Sequence, residues 1–171
     1  EQPLFLEALR HGPPSDRSRD VTAVLDLMVH DIDLLLAISA SEPVTAEADG
    51  ARGPDGVWDR VRAEVSFESG LTAVLDVSRL AEARKRTMRI VYPSGEVEVD
   101  FVARTFRNST PFPLNPDYAD TPAAQDPLGA SVAGFLDAVR GAAPRPIVTV
   151  EEAMAALDVA VAVEQALEDA G

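Results

Sequence analysis

The sequence predicts an α+β fold, an open and mostly antiparallel β-sheet with helices packed on one face. The first observation is the order of the elements, in which a strand and a helix precede several strands and two final helices. The second is the hydrophobic period, which changes from three or four residues in the helices to two residues in the middle of the chain. The third is that the connections between the middle strands are short, whereas parallel strands need crossovers of about a dozen residues.

The chain begins with a predicted strand over residues 3–11, which ends at the breakers of residues 12–14. A helix follows and runs to about Ser39, and either Asp20 or Thr22 can cap its N-terminus. Its apolar residues recur every three or four positions, which predicts one buried side. The residues of this side are Val24, Leu25, Met28, Val29, Ile32, Leu35 and Leu36.

The middle of the chain is predicted to form an antiparallel meander. Its clearest signal is residues 61–67, where apolar residues hold alternate positions and one face is left to water or a partner. Ser69-Gly70 connects this strand to the next as a hairpin. The predicted strands are 44–51, 61–67, 71–80, 87–92 and 96–101.

The last third of the chain is predicted to hold a long loop and two helices. Four prolines between Thr110 and Asp126 indicate the loop. A helix then runs from Pro127 to Arg140, and Thr149 and Glu152 match a capping box at the start of the last helix. The predicted buried residues are Val132, Phe135, Leu136 and Val139 in the first of these helices, and Ala156, Leu157, Ala160, Val163 and Leu167 in the second.

Size and charge restrict the classes of function. A chain of 171 residues with 46% hydrophobic residues predicts one domain, residues 1–171, with a sizeable core. The formal charge of −14 opposes nucleic acid and anionic membranes, so neither is expected as a partner. Because the chain begins at Glu1 rather than methionine, directly at a predicted strand, we expect it to be a piece of a longer protein.

The residue content also bears on location and chemistry. The sequence has no cysteine, which excludes disulfides, thiolate metal sites and cysteine nucleophiles and suits a reducing compartment. It has no apolar run near the roughly 20 residues that cross a bilayer, and its start lacks a signal-peptide profile. We therefore expect a soluble, cytoplasmic protein.

The candidate chemistry lies on the first helix, where Asp26 and His30 are four residues apart. Side chains at this spacing point the same way, so Asp26 can accept a hydrogen bond from one imidazole nitrogen and leave the other facing a ligand. The pair is a candidate acid/base unit. The same pattern also fits an ordinary solvent-facing histidine, or, with Asp33, a metal site that lacks a second histidine nearby.

Other charged residues have weaker interpretations. Arg10, Arg17 and Arg19 form a positive cluster before the helix, which suits a carboxylate or phosphate ligand or, alternatively, nearby surface acids. His11, Asp31, Asp33 and the segment 84–86 with Arg89 are expected to face solvent. The sequence contains no Gly-x-Gly-x-x-Gly, Walker A or Gly-x-Ser-x-Gly motif, so no dinucleotide site is expected on this chain.

Four stretches of the sequence carry a resemblance to a known family, and they are residues 24–33, residues 67–71 with Ser78-Arg79 after them, residues 135–139 and residues 146–153. In order and spacing they resemble the C-terminal part of the glucose-fructose oxidoreductase / inositol dehydrogenase (Gfo/Idh/MocA) family. The family joins an N-terminal Rossmann domain that binds NAD(P) to a C-terminal α+β domain with an open, largely antiparallel sheet. The resemblance implies that this chain is the second domain alone, with the Rossmann domain missing and NAD(P) bound only by the full-length protein.

The resemblance also implies roles for individual residues. Asp26 and His30 match the family's aspartate and histidine at the sugar site, where the histidine shuttles the hydroxyl proton while hydride passes to the nicotinamide. A lysine in a Glu-Lys-Pro motif of the first domain normally joins them. Residues 1–3 of this chain, Glu-Gln-Pro, differ from that motif because glutamine stands in place of the lysine and the segment lies only 23 residues before Asp26. Residues 20–22 replace the glycines of many members.

Two hypotheses follow. In the first, the chain is the substrate-binding domain of an NAD(P)-dependent sugar dehydrogenase and is inactive alone. Its helix is most similar to that of members acting on nucleotide-linked amino sugars, and Arg17 and Arg19 suit a phosphorylated sugar. In the second, it is a non-catalytic sheet module for dimerisation or protein interaction. Under either hypothesis we expect a homo-oligomer formed through the open sheet face.

Overall fold

A seven-stranded mixed sheet is the largest feature of the computed structural model, which describes residues 1–15 and 20–170. The strand order is β2-β3-β4-β1-β5-β6-β7, in which β1 and β4 are parallel and the other neighbouring strands are antiparallel. The predicted α+β class with an open, mostly antiparallel sheet is confirmed. The strands are β1 Phe5–His11, β2 Pro43–Arg52, β3 Trp58–Phe67, β4 Thr72–Ser78, β5 Lys85–Tyr92, β6 Gly95–Asp100 and β7 Thr105–Asn108.

The prediction of a continuous meander is wrong at β1, which lies between β4 and β5. Leu6 and Ala8 of β1 are fully buried on the core face, and the central position also removes the backbone of this strand from the sheet edge. Parallel pairing with β4 is allowed because the first helix, β2 and β3 supply the long crossover. Therefore the C-terminal ends of β1 and β4 meet at the same edge of the sheet.

Two details of the strand prediction also differ. Lys85 and Arg86 belong to β5, whereas the segment 84–86 was expected to be a turn that faces solvent. Lys85 is exposed as expected, but the expectation of solvent exposure is wrong for Arg86, which is half-buried. The short edge strand β7 was missed, because four residues are too few to give a clear hydrophobic period.

The helices are a π-helical turn at Val24–Met28, α1 Val29–Ser39, α2 Pro122–Gln125, α3 Pro127–Val139 and α4 Val150–Ala170. The π-turn is seen where the backbone N–H of Val29 donates to the carbonyl of Val24, and it leads directly into α1. Of the two predicted caps, Thr22 is the one that caps the N-terminus of the first helix, because its Oγ1 accepts a hydrogen bond from the backbone N–H of Leu25 at 3.3 Å. The chain leaves α1 through Ala40, which has a left-handed φ of 45°.

The chain falls into two compact units, of which the first contains residues 1–111 and α4 from Ala156 onward. Its hydrophobic core lies on one face of the sheet, beneath the first helix and this part of α4. The prediction of buried residues in α4 is confirmed except at Leu157, which is exposed, while Val159 is buried. Residues that fill the core include Leu6, Leu75, Met28, Ile32, Leu35, Ala160, Val163 and Leu167.

The second unit contains residues 112–155. The predicted loop holds a 3₁₀ turn at Tyr118–Asp120 and the four-residue helix α2. Asp126 caps α3 by accepting from the N–H of Gly129 at 2.9 Å. The predicted capping box is confirmed, with Thr149 N–H donating to Glu152 at 2.8 Å and Glu152 N–H donating to Thr149 Oγ1 at 3.3 Å.

The apolar side of α3 is not buried, which corrects the prediction. Val132, Phe135, Leu136 and Val139 are all exposed, and so is Leu128 at the start of the helix. Periodicity identifies the apolar side of a helix but does not identify what covers it.

Within the described ranges, the structure has no helix with the length and apolar character needed to span a membrane.

Candidate functional site

His30 is the second residue of α1, and its side chain is exposed. Its ring makes no hydrogen bond or ion pair with any residue that the structure describes. Both ring nitrogens are therefore accessible to a ligand, as an imidazole that exchanges a proton with a substrate requires.

Asp26 lies in the π-turn before His30 and is half-buried. The predicted hydrogen bond between Asp26 and His30 is not formed. Asp26 Oδ2 instead faces Arg79, whose Nη1 lies 3.4 Å away. A guanidinium is a stronger partner for a carboxylate than a neutral imidazole, which accounts for the contact with Arg79. The π-helical turn that carries Asp26 is of a kind often found at functional sites.

Arg79 belongs to one of the stretches that resemble the family, but the sequence predicted no role for it. In the structure it contacts several residues around Asp26. Its Nε and Nη2 donate to Asp59 Oδ1 at 2.9 and 2.5 Å, and Nη2 donates to the carbonyl of Val21 at 2.8 Å. Arg79 therefore ties the ends of β3 and β4 to the segment that leads into the helix. These partners lie 20 to 58 residues away along the sequence, so no local pattern could have identified them.

Arg10 was predicted to bind substrate, but its guanidinium is engaged by Asp31. Arg10 Nε donates to Asp31 Oδ2 at 2.8 Å, and Arg10 Nη2 donates to Asp31 Oδ1 at 2.6 Å. The two side chains are only 13% and 5% exposed. The prediction that Asp31 faces solvent is therefore wrong, because Arg10 continues the core-facing row of β1 and meets α1 there.

Arg86 lies directly opposite Arg10 in the pairing of β1 with β5. Its Nε is buried and has no hydrogen-bond partner. Burial, followed by the neighbouring charges of Arg10 and Arg84, lowers the pKa of Arg86, and Asp31 partly opposes this shift. Arg86 therefore adds a half-buried positive charge next to the Arg10–Asp31 pair.

Arg17, Arg19 and His11 are charged candidates that remain from the sequence. Arg17 and Arg19 fall outside the described residues. His11 is half-buried rather than fully at the surface, and its Nε2 lies 2.9 Å from Asp76 Oδ1. Among residues 1–15 and 20–170, no three histidine or acidic side chains come together in a way that could hold a metal ion.

A cavity of about 210 Å³ lies beside the Arg79–Asp59 pair. It is lined on one side by the segment that precedes residues 16–19 and on the other by the turn between β2 and β3. His30 is not one of its lining residues. They are Pro14, Ser15, Pro54, Asp55, Val57, Asp59, Arg79 and Leu80.

The sheet with β1 at its centre, crossed by the helix that carries Asp26 and His30, has counterparts among known proteins. The family profile described as the GFO/IDH/MocA C-terminal domain matches residues 8–98. This chain belongs to the Gfo/Idh/MocA family. The predicted resemblance is confirmed, and the match runs from the second half of β1 through the Asp26–His30 helix into β6.

Curated relatives and solved structures agree with this assignment. A UDP-N-acetylglucosamine 3-dehydrogenase from Acidithiobacillus ferrooxidans is 35% identical over 178 residues, covering 97% of this chain and 56% of that protein. The solved structure of UDP-N-acetylglucosamine 3-dehydrogenase GnnA from the same organism has a TM-score of 0.84 at 28% identity, covering 98% of this chain and 54% of that one.

The WlbA dehydrogenase from Bordetella pertussis, solved in complex with NADH and UDP-GlcNAcA, shares the fold. Its TM-score is 0.81 at 15% identity, and the match covers 99% of this chain and 56% of that one. The chain thus spans about half the length of the relatives it matches.

Proposed function

We propose that this chain is the substrate-binding C-terminal domain of an NAD(P)-dependent dehydrogenase that oxidises a nucleotide-linked sugar. The observation that carries the proposal is the exposed His30, whose ring is unpaired among the described residues and whose helix is anchored on both sides by buried or half-buried ion pairs. The activity of the 35% identical relative, a UDP-N-acetylglucosamine 3-dehydrogenase, supports the substrate class.

In the proposed reaction, His30 accepts the proton of the sugar hydroxyl as the hydroxyl-bearing carbon is oxidised. In the longer protein, a nicotinamide cofactor bound by an N-terminal domain would supply the hydride acceptor that this oxidation needs. Because His30 is exposed in this chain, the imidazole can exchange its proton with water after the reaction. Asp26, held by Arg79, supplies a carboxylate one turn before His30 that can accept a hydrogen bond from the sugar.

Local positive charge supports an anionic substrate on a chain whose net charge is −14. Arg86 and Arg10 face the single carboxylate of Asp31, so this group of three side chains has one more cation than carboxylates. Arg17 and Arg19 remain our proposed phosphate ligands, because a guanidinium fork matches phosphate geometry. Arg10 is no longer proposed as a substrate ligand, because Asp31 accepts hydrogen bonds from its guanidinium.

The exposed apolar residues of the second unit support a partner domain. Nine large apolar side chains between Leu128 and Met154 are exposed, far more than isolated surface residues would explain. Such a surface is typical of one that another domain covers. The residues are Leu128, Val132, Phe135, Leu136, Val139, Ile147, Val148, Val150 and Met154.

We expect the isolated 171-residue chain neither to bind NADH nor to oxidise UDP-sugars, because the nicotinamide site belongs to the N-terminal domain. Calorimetry with NADH and absorbance at the NADH band with UDP-N-acetylglucosamine would measure both. Circular dichroism of the same sample serves as the folding control. The longer protein should both bind NADH and oxidise the UDP-sugar. NADH binding by the folded isolated chain would contradict the assignment of the nicotinamide site to the N-terminal domain.

A second role, self-association through the open sheet face, is supported by the pattern of that face. The apolar residues of this face on β1, β4 and β5 are Phe5, Leu9, Val74 and Val91, which are half-buried or buried, and they are interspersed with Glu7, His11, Asp76 and Arg89. The flanking strands add further charged residues, including Arg60, Glu64, Glu96 and Glu98. Surfaces that mix apolar and polar side chains in this way are common in non-obligate protein interfaces.

We expect Leu9→Arg to shift the longer protein toward monomer, because it replaces an apolar side chain on the central strand of this face with a large charged one. Sedimentation velocity measures the change. Phe101→Arg, in the exposed turn after β6, is the matched control and should leave the oligomeric state unaltered. An unchanged distribution for Leu9→Arg would exclude this face as the interface.

A further inference from the structure

We propose that Arg10 and Asp31 form a positioning pair that holds the turn carrying His30 against the central strand of the sheet. The proposal rests on the proposed function, because it gives the pair a role only if His30 takes the substrate proton. Arg10 acts through Asp31, the residue that follows His30 in α1, and not on the substrate itself.

The position of Arg10 in the fold makes it an effective anchor. Leu6, Ala8 and Arg10 alternate onto the core face of β1, and the first two are fully buried. β1 is the fourth of seven strands, so strands on both sides restrain it. The contact with Asp31 joins this central strand to α1, 21 residues further along the chain.

The geometry of the pair restricts direction as well as distance. Two parallel hydrogen bonds of 2.8 and 2.6 Å join the two donors of Arg10 to the two oxygens of Asp31. A bidentate contact of this kind fixes the plane of the carboxylate, which a single contact cannot do. With the side chains 13% and 5% exposed, water does not compete freely for either group.

His30 needs such an anchor because its own ring has no hydrogen bond to a described residue. Its position is therefore set by the backbone of its turn, and the nearest anchored side chain is the adjacent Asp31. Arg79 holds the preceding π-turn through Val21 and Asp26. The parallel pairing of β1 with β4 places Arg10 and Arg79 at the same edge of the sheet, so two consecutive turns are held from neighbouring strands.

Arg86 determines how the pair must be tested. It lies opposite Arg10, and its Nε has no partner, so it is placed to take over Asp31 when Arg10 is shortened. Arg10→Lys keeps the charge but loses the bidentate contact. The double variant Arg10→Lys/Arg86→Gln also removes the guanidinium of Arg86, which could otherwise replace Arg10 as the partner of Asp31.

The experiment compares these variants in the longer protein, at a temperature where each is folded. We expect kcat for the UDP-sugar to fall about 10- to 100-fold in the double variant, since a misplacement of about 1 Å can cost that much. The KM for NAD should change little, because the cofactor binds the other domain. Arg104→Lys, in the exposed turn between β6 and β7, is the control and should retain the parent kcat.

Hydrogen exchange measured by mass spectrometry supplies a readout that does not require turnover. Peptides covering residues 24–36 should exchange faster in the double variant than in Arg104→Lys, while peptides from β3 and β4 should not change. Unchanged kcat and unchanged exchange in the double variant would overturn the proposal, and so would a fall in stability with kcat intact.

Failure of the proposed function can be separated from failure of the positioning role. If His30→Gln leaves turnover intact, the proposed function fails and the positioning role fails with it. If His30→Gln stops turnover while the double variant behaves like Arg104→Lys, only the positioning role fails.

Discussion

His30→Gln in the longer protein should lower kcat for the UDP-sugar by about 10²- to 10⁴-fold, the usual contribution of a positioned acid/base group. Glutamine retains polarity and approximate size but cannot take the hydroxyl proton. Because His30 is exposed and makes no hydrogen bond to a described residue, the substitution leaves no buried polar group unpaired. Steady-state kinetics with NAD and UDP-N-acetylglucosamine would measure the loss.

The chain contains only two histidines, and the second is a natural control. His11 contacts Asp76 on the open face of the sheet, away from the core face that carries α1. His11→Gln retains a polar group for this contact and should keep the parent kcat. Equal kinetics for His30→Gln and the parent protein would exclude the proton-transfer role of His30.

Asp31→Ala should lower the free energy of unfolding of this chain by about 3–5 kcal/mol, because it leaves Arg10 buried without its carboxylate. Urea unfolding can be followed through Trp58, the only tryptophan of the chain. The ring of Trp58 lies beneath the guanidinium of Arg52 at 4.1 Å, and its Nε1 donates to Glu168 at 2.8 Å, so its surroundings change on unfolding.

Two further variants make the Asp31 result interpretable. Asp33→Ala removes a half-buried carboxylate from the same helix and should cost no more than about 0.5 kcal/mol, because no ion pair depends on it in the described structure. The double variant Arg10→Met/Asp31→Leu should recover much of the lost stability, since it removes both charges of the buried pair and leaves neither of the two without its partner. A cost below about 1 kcal/mol for Asp31→Ala would contradict the buried ion pair.

Local patterns predicted the local features well. The period of three or four residues placed the first helix correctly, because a helix with one buried side has apolar residues at every third or fourth position. Thr149 and Glu152 form the predicted capping box, since a cap involves residues three positions apart. The alternation in residues 61–67 identified β3, with Val61, Ala63 and Val65 buried.

Features that depend on distant residues were predicted poorly. A charged residue in a helix is expected to face solvent, yet Asp31 is buried because Arg10 reaches it from another element. The Asp26–His30 spacing indicated a hydrogen bond, but Arg79, 53 residues further along, engages Asp26. The apolar period of α3 indicated burial, and these residues are exposed.

By itself, the sequence determined the α+β class, the elements that build it, and the family through motifs whose order and spacing are local properties of the chain. Only the tertiary structure decided that β1 enters the centre of the sheet beside a parallel β4. That choice brings Arg10 and Arg79 to one edge, where they engage Asp31 and Asp26. The physical reason is that strand order and ion pairing are settled by the combined burial of residues far apart in the chain, which no single segment encodes.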